Sequence, residues 1–261
     1  MFVPIIPEMP ADEVMKDKKA LDFYEKVMAF FYSEIREMNT NLYLVEQVIS
    51  FPPIFIDEWL PNRFYFLSQF MVNVINMSIL TIHKLISDNT RDVVTMTIFQ
   101  QKLLKEQLKP EYKDYFQNIL KQNKQGKEEI SYIQNRAREI RNKRLAHLTN
   151  DYFQQVFDKT MQQTRLDFLE LRDLSYYVNY MFFSFAFGGE YSTLLPECYA
   201  SVQPNQKTDI EAFLDYIAQN SEILNLPETD PECWQEKRSK LSNEELQNIN
   251  SFRAKFNLKK V

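Results

Sequence analysis

Glycine is scarce in this chain, and this scarcity constrains the fold more than any other feature of the sequence. Only 3 of the 261 residues are glycine and 11 are proline, so few positions suit the tight turns that join β-strands. Leu, Lys, Glu and Gln, which favour helices, are abundant instead. The sequence therefore predicts long helices and an all-α fold.

Apolar residues at three-to-four spacing divide the first 189 residues into about six helices. The predicted ranges are 12–49, 62–87, 93–108, 111–122, 127–147 and 166–187, with proline or glycine at several of the breaks. The second helix is apolar nearly all round, which predicts a central place in the fold rather than a membrane span, because it also carries Gln69, Asn73 and Asn76. We predict an antiparallel helical bundle over residues 1–189.

From Glu190 onward the apolar three-to-four spacing gives way to an irregular sequence. Two capping-box patterns mark short polar helices, one pairing Thr208 with Glu211 and the other pairing Ser242 with Glu245. We predict that residues 190–261 form a C-terminal helical extension, whose role the sequence does not indicate.

Charge and cysteine content exclude several classes of protein. The net charge is −5 and the sequence pI is about 5.3, so any contact with nucleic acid requires a local basic patch. Cys198 and Cys233 lie far apart and form no C-x-x-C pair, which argues against a disulfide framework and a zinc site. The N-terminus does not resemble a secretory signal. We expect a cytoplasmic protein with no metal and no cofactor.

One stretch, IRNKRLAHLTND from Ile140 to Asp151, places cations where an apolar stripe should continue. At about 100° per residue from Ala137, Arg144 falls about 20° and Arg141 about 40° from the centre of that stripe. The other members of the stripe lie within about 60° of Ala137: Ile130, Ile133, Ile140 and Leu148.

Two interpretations of these arginines remain open. In the first, the helix outruns the core, and the cations favour its C-terminal dipole while their stems cover apolar surface. In the second, they meet a carboxylate, an interface or a phosphate, and arginine binds a phosphate with two parallel hydrogen bonds. His147 is equally ambiguous, because a lone histidine is often structural but also suits acid–base chemistry near neutral pH.

The segment RNKRLAH resembles the signature of the HEPN superfamily (higher eukaryotes and prokaryotes nucleotide-binding). In that signature an arginine is followed directly by a polar residue, and a histidine closes the motif after four to six intervening residues. Here the three residues are Arg141, Asn142 and His147. The context is similar to the abortive-infection branch, in which a long apolar helix ends in a run like KLISDNT, with Leu85 and Asp88. The resemblance spans residues 12–187.

The resemblance implies a metal-independent endoribonuclease that acts as a toxin or antiviral effector. It implies a homodimer in which two motif helices form one groove for RNA or nucleotide. Arg141 would bind the scissile phosphate, Asn142 would orient the histidine or the phosphate, and His147 would act as general acid or base. From the helix winding we add Arg144 to the substrate-binding residues, and we include the neighbouring cations Arg138 and Lys143.

Two other functions fit the same residues. The chain is alternatively a non-catalytic dimer that binds nucleotide, RNA or a protein through the groove, or a helical interaction protein with a chance motif. An antitoxin protein is a possible partner of the nuclease. We expect His83 to be a core histidine and the aromatic run YYVNYMFFSFAF to form core or dimer interface rather than a base-stacking platform.

Overall fold

The computed structural model confirms the all-α class for the residues that it describes. These are residues 7–55, 65–86, 94–142, 168–189, 191, 194–196, 199, 203 and 206–261. The helices are α1 (Ala11–Val14), α2 (Lys18–Ser50), α3 (Tyr65–Ile86), α4 (Met96–Lys102), α5 (Lys113–Glu129), α6 (Ser131–Ile140), α7 (Phe168–Phe183), α8 (Asp209–Gln219), α9 (Glu222–Thr229), α10 (Pro231–Arg238) and α11 (Asn243–Lys255). Within these ranges, no helix is both long and apolar enough to cross a membrane.

The chain divides into two compact units. The first comprises Met1–Leu42 with Ile75–Pro196, and the second comprises Tyr43–Val74 with Glu197–Val261. The long helices α2 and α3 each contribute residues to both units. This division into compact units does not test the predicted boundary near residue 190, which stays a prediction.

The core of the first unit contains the apolar stripe predicted for α2. Tyr24, Met28, Phe31 and Ile35 are almost fully buried, because their three-to-four spacing places them on one face of the helix. Leu85 at the end of α3 lies in the same core, whereas Asp88 lies outside the described residues. The prediction that α3 is buried all round was wrong, because Val72 and Met77 are exposed.

The first predicted helix was wrong at its start, where the structure breaks it into α1 and α2. The backbone of Lys16 donates to the carbonyl of Gln107 at 2.9 Å, and that of Lys109 donates to the carbonyl of Val14 at 3.1 Å. The carboxylate of Asp17 then accepts from the amide of Ala20 at 2.7 Å and caps α2. The break follows from pairing with a segment about 90 residues away.

The segment NKQG, residues 123–126, was predicted to separate the helices 111–122 and 127–147, and this prediction was wrong. α5 runs through it to Glu129, and the break falls at Ile130. The reason is a buried stripe that includes Gly126, because a glycine on a packed helix face need not end the helix. The stripe, at three-to-four spacing, consists of Phe116, Ile119, Asn123 and Gly126.

The predicted stop of this helix at Gly188 was placed too late, because α7 already ends at Phe183 and Gly188 lies in a separate 3₁₀ turn, Phe187–Gly189. Gly188 has a φ of 70°, which favours glycine, and its amide donates to the carbonyl of Pro7 at 3.2 Å. The hydroxyl of Tyr24 donates to the carbonyl of Phe185 at 2.6 Å and accepts from the amide of Phe187 at 3.0 Å. A buried α2 side chain thus holds the turn that follows α7.

The second unit contains both predicted capping boxes. The hydroxyl of Thr208 accepts from the amide of Glu211 at the start of α8, and Ser242 does the same with Glu245 at the start of α11. Both helices pack around a small apolar core. Its most deeply buried members include Phe55, Ala218, Ile223, Leu224 and Ile249.

Arg253 on α11 is fully buried in the second unit. Its guanidinium donates to the carbonyls of Leu224 and Lys259, each at 2.5 Å, and pairs with the carboxylate of Glu228. Removing it would leave two inward carbonyls without a donor. Arg253 is therefore a structural cation.

We expect Arg253→Met to lower the free energy of unfolding by roughly 2–4 kcal/mol, because buried carbonyls and the Glu228 carboxylate lose their partner. Urea unfolding followed by circular dichroism measures this loss. The exposed Arg238 on α10 provides the control Arg238→Met, which should stay within about 0.5 kcal/mol of wild type. Equal effects of the two substitutions would contradict the assignment.

Candidate functional site

α6 carries the start of the basic motif, and its buried face agrees with the predicted stripe. Ile130, Ala137 and Ile140 are at most 5% exposed, and Ile133 is partly buried. This face packs against α7. Among the described residues, the last member of the stripe is Ile140, directly before the first motif residue, and Leu148 lies outside them.

The helix changes its winding at the motif. Residues 141 and 142 adopt a π-helical turn after α6, although the amide of Arg141 still donates to the carbonyls of Ala137 and Arg138. A π turn is wider than an α turn and often marks a functional site. The angle predicted for Arg144 assumed a straight α-helix, and because Arg144 lies outside the described residues that angle stays a prediction.

Arg141 and Asn142 contact each other through their side chains. A terminal nitrogen of the Arg141 guanidinium (Nη1) donates to Oδ1 of Asn142 at 2.8 Å. Arg141 is partly buried and Asn142 is exposed. A guanidinium has five N–H donors, and this bond to Asn142 uses one of them and orients the group.

Arg138 lies exposed on α6, three residues before Arg141. Within the described ranges, neither arginine forms an ion pair with a carboxylate. Lys143, Arg144 and His147 lie outside the described residues. The catalytic and substrate-binding roles of the six residues stay predictions.

Arg136 behaves differently from these two arginines. Its guanidinium pairs with the carboxylate of Glu170 on α7 and lies 5.6 Å from the ring centroid of Tyr132. The pair connects α6 to α7 and so fixes the helix that carries the motif. Sequence reasoning missed it, because 34 residues separate the partners and no local pattern links them.

The charge around the motif is opposite to that of the whole chain. From Arg136 to Arg144 the sequence contains five basic residues and one acidic residue, in a chain of net charge −5. This is the local basic patch that contact with a nucleic acid requires.

Large apolar side chains are exposed on both helices that position the motif. Tyr132 on α6 is 67% exposed, and Leu169 and Tyr176 on α7 are 56% and 49% exposed. Arg172 lies 5.9 Å from the ring centroid of Tyr176. Exposed aromatic and arginine side chains are enriched where proteins contact each other.

The remaining candidates from the sequence are structural. His83 is 8% exposed, as predicted for a core histidine. The aromatic run is mainly core, as predicted. In the part of the chain that is described, no cluster of histidine, cysteine and carboxylate side chains suits a metal ion.

Comparison with protein families matches the region that carries the motif. Residues 57–181 match the model of the AbiU2 family of HEPN proteins, a range that is just under half of the chain and includes the whole motif. No curated protein matches the chain, and no solved structure matches it.

Proposed function

We propose that the chain is a metal-independent endoribonuclease of antiviral defence, because residues 57–181 match the model of the AbiU2 family of HEPN proteins. The observation that carries the proposal is the Arg141 guanidinium, which Asn142 orients and which no described carboxylate neutralises. An oriented, unneutralised guanidinium is suited to a phosphate. The protein would act in the cytoplasm, restrained by an antitoxin.

In the proposed reaction an RNA 2′-hydroxyl attacks the adjacent phosphorus. The bond from phosphorus to the 2′-oxygen forms and the bond to the 5′-oxygen breaks, which leaves a 2′,3′-cyclic phosphate and a 5′-hydroxyl. His147 takes the proton of the 2′-hydroxyl or gives one to the leaving 5′-oxygen. Arg141 stabilises the charge that develops on the phosphate.

The other motif residues bind or orient. Asn142 holds the Arg141 guanidinium through the 2.8 Å bond, so that its free donors keep one direction. Arg138, Lys143 and Arg144 contact neighbouring phosphates of the RNA backbone. Such contacts add affinity without reading sequence.

A homodimer completes the proposed site. The exposed side chains of Tyr132, Leu169 and Tyr176 lie on the two helices that position the motif. Burying them against a second copy would bring the two motif helices together at one isologous interface. Both copies of His147 would then serve one groove, one for each proton transfer.

A second candidate function is a non-catalytic HEPN dimer that binds nucleotide, RNA or a protein through the same groove. The net charge of −5 favours it, because weak long-range attraction to RNA leaves the local patch to supply the affinity. The two functions differ in whether bound RNA is cleaved.

We expect the purified protein to cleave a mixed RNA pool in EDTA and to leave cyclic-phosphate ends. Arg141→Ala should slow cleavage by about 10²–10³-fold through loss of charge stabilisation, and His147→Ala by about 10²–10⁴-fold through loss of proton transfer. Gel analysis of the products measures both. Arg238→Ala, at an exposed site in the second unit, should cleave like wild type.

Equal rates for wild type, Arg141→Ala and His147→Ala would contradict the nuclease proposal. Binding of the RNA by wild type without cleavage would favour the non-catalytic function. Loss of binding in Arg141→Ala would then still place the RNA at the motif.

The salt dependence of RNA binding tests the phosphate contacts in either function. Arg138→Gln and Arg141→Gln should each reduce the slope of log K against log salt by about 0.7, the value expected for one phosphate contact on a single strand. Fluorescence anisotropy between 50 and 200 mM salt measures the slope. An unchanged slope, equal to that of Lys121→Gln on the exposed face of α5, would exclude the contact.

The dimer should depend on the exposed apolar side chains of α6 and α7. We expect Tyr132→Asp and Leu169→Asp to convert a dimer into a monomer, because a buried unpaired carboxylate is strongly unfavourable. Light scattering after size exclusion measures the mass. Tyr216→Asp is the control, since Tyr216 is 65% exposed but lies on α8 in the second unit; a dimer that survives all three substitutions uses another surface.

A further inference from the structure

A cavity of about 360 Å³ lies in the first unit between α4, α5 and α7. Cavities of this size accommodate small organic ligands. Its polar lining includes Gln100 from α4, Asn123 and two lysines from α5, and Tyr177 from α7. Of the motif residues that the structure describes, Arg138, Arg141 and Asn142 do not line it.

Two amide side chains in this cavity are buried without hydrogen-bond partners. Gln100 and Asn123 are each 3% exposed. Within the described part of the chain, Nε2 of Gln100 and both Nδ2 and Oδ1 of Asn123 have no partner. Folded proteins rarely leave buried polar atoms unpaired, and those that remain often mark a functional site.

Asn123 is held firmly in its position. It belongs to the buried stripe of α5, and its backbone carbonyl accepts a hydrogen bond from the Tyr177 hydroxyl at 3.0 Å. Burial raises the pKa of Tyr177, so this hydroxyl remains a donor at physiological pH. The bond uses the backbone of Asn123 and leaves its side-chain amide available.

The unpaired atoms define a complementary ligand. An asparagine amide presents one donor and one acceptor side by side, and it pairs with a planar edge that offers an adjacent acceptor and donor. Nε2 of Gln100 requires a further acceptor. Apolar contact with such a ligand comes from Leu120 and Met181 in the same cavity.

Two cations complete the cavity. Lys124 and Lys127 line it from α5, and Lys124 is exposed while Lys127 is partly buried. Neither forms an ion pair with a carboxylate in the described ranges. An ammonium group near the cavity attracts an anion.

We propose that this cavity binds a small anionic ligand that places an amide-like edge against Asn123 and its anionic group near Lys124 and Lys127. Two sources share this chemistry: a nucleoside monophosphate, and a carboxylic acid that carries an amide. The site is separate from the proposed RNA groove and does not depend on the nuclease function.

Titration calorimetry of the full chain with four probes tests the proposal: uridine 5′-monophosphate, adenosine 5′-monophosphate, N-acetylglutamine and uridine. We expect either a nucleotide or N-acetylglutamine to bind, and the probe that binds identifies the source. If the source is a nucleotide, uridine should bind at least tenfold more weakly than uridine 5′-monophosphate, because it lacks the anionic group. Asn123→Leu and the double variant Lys124→Gln, Lys127→Gln should each weaken the bound probe at least tenfold. Lys121→Gln, on the same helix but outside the cavity, should bind as wild type does.

The stability of the ligand-free variants separates a binding role from a structural role. Asn123→Leu and Gln100→Leu replace unpaired polar atoms by apolar ones of similar size, so each should melt at or above the wild-type temperature. If Asn123→Leu fails to fold, its amide is structural, and Gln100→Leu then carries the binding test.

Two results would overturn the proposal. One is that none of the probes binds the wild-type protein, and the other is that the leucine variants bind as wild type does. The substituted cavity residues differ from those of the nuclease test, so a failure of the nuclease function leaves this result interpretable.

Discussion

The packing of α6 against α7 is the contact on which the position of the motif depends. Ile130, Ala137 and Ile140 bury one face of α6, and the Arg136–Glu170 ion pair ties the helix to α7. Burial of large apolar side chains stabilises by roughly 1.5–3 kcal/mol each, whereas a partly exposed ion pair adds about 1 kcal/mol or less. The apolar stripe therefore supplies the energy, and the ion pair fixes the rotation of α6. Arg141 follows Ile140 directly, so the packed stripe determines where the motif begins.

The core of the first unit gives its tyrosines partners but leaves two amides without them. The hydroxyls of Tyr24 and Tyr177 each bond a backbone carbonyl, as is usual for buried polar groups. Gln100 and Asn123 are buried equally deeply, yet three of their side-chain atoms have no partner among the described residues. Because the same core satisfies its tyrosines, these amides are not explained by generally poor packing. They face a cavity, where a ligand supplies what the protein does not.

Signals that act within one helix turn were read correctly from the sequence. The capping boxes of Thr208 and Ser242 and the stripe of α2 formed as predicted, because each depends on neighbours a few residues away. The errors arose where distant segments decide. The break between α1 and α2 follows from pairing with residues 107–109, and the continuity of α5 through Gly126 follows from tertiary packing. The Arg141–Asn142 contact joins adjacent residues, so it could have been predicted from the sequence. The Arg136–Glu170 pair and the Gln100–Asn123 cavity bring separate helices together, so they could not.

The distribution of charge gives dimerisation a further role in the proposed function. The chain carries a net charge of −5, but residues 136–144 contain five basic residues and one acidic residue. At physiological salt, charges are screened beyond about 8 Å, so RNA at the motif interacts mainly with this patch and little with the acidic remainder. One patch offers few phosphate contacts, and affinity rises steeply with their number. Two patches brought to one groove would double the phosphate contacts while the acidic remainder stays screened, so assembly of the dimer would create affinity for RNA together with the catalytic pair of histidines.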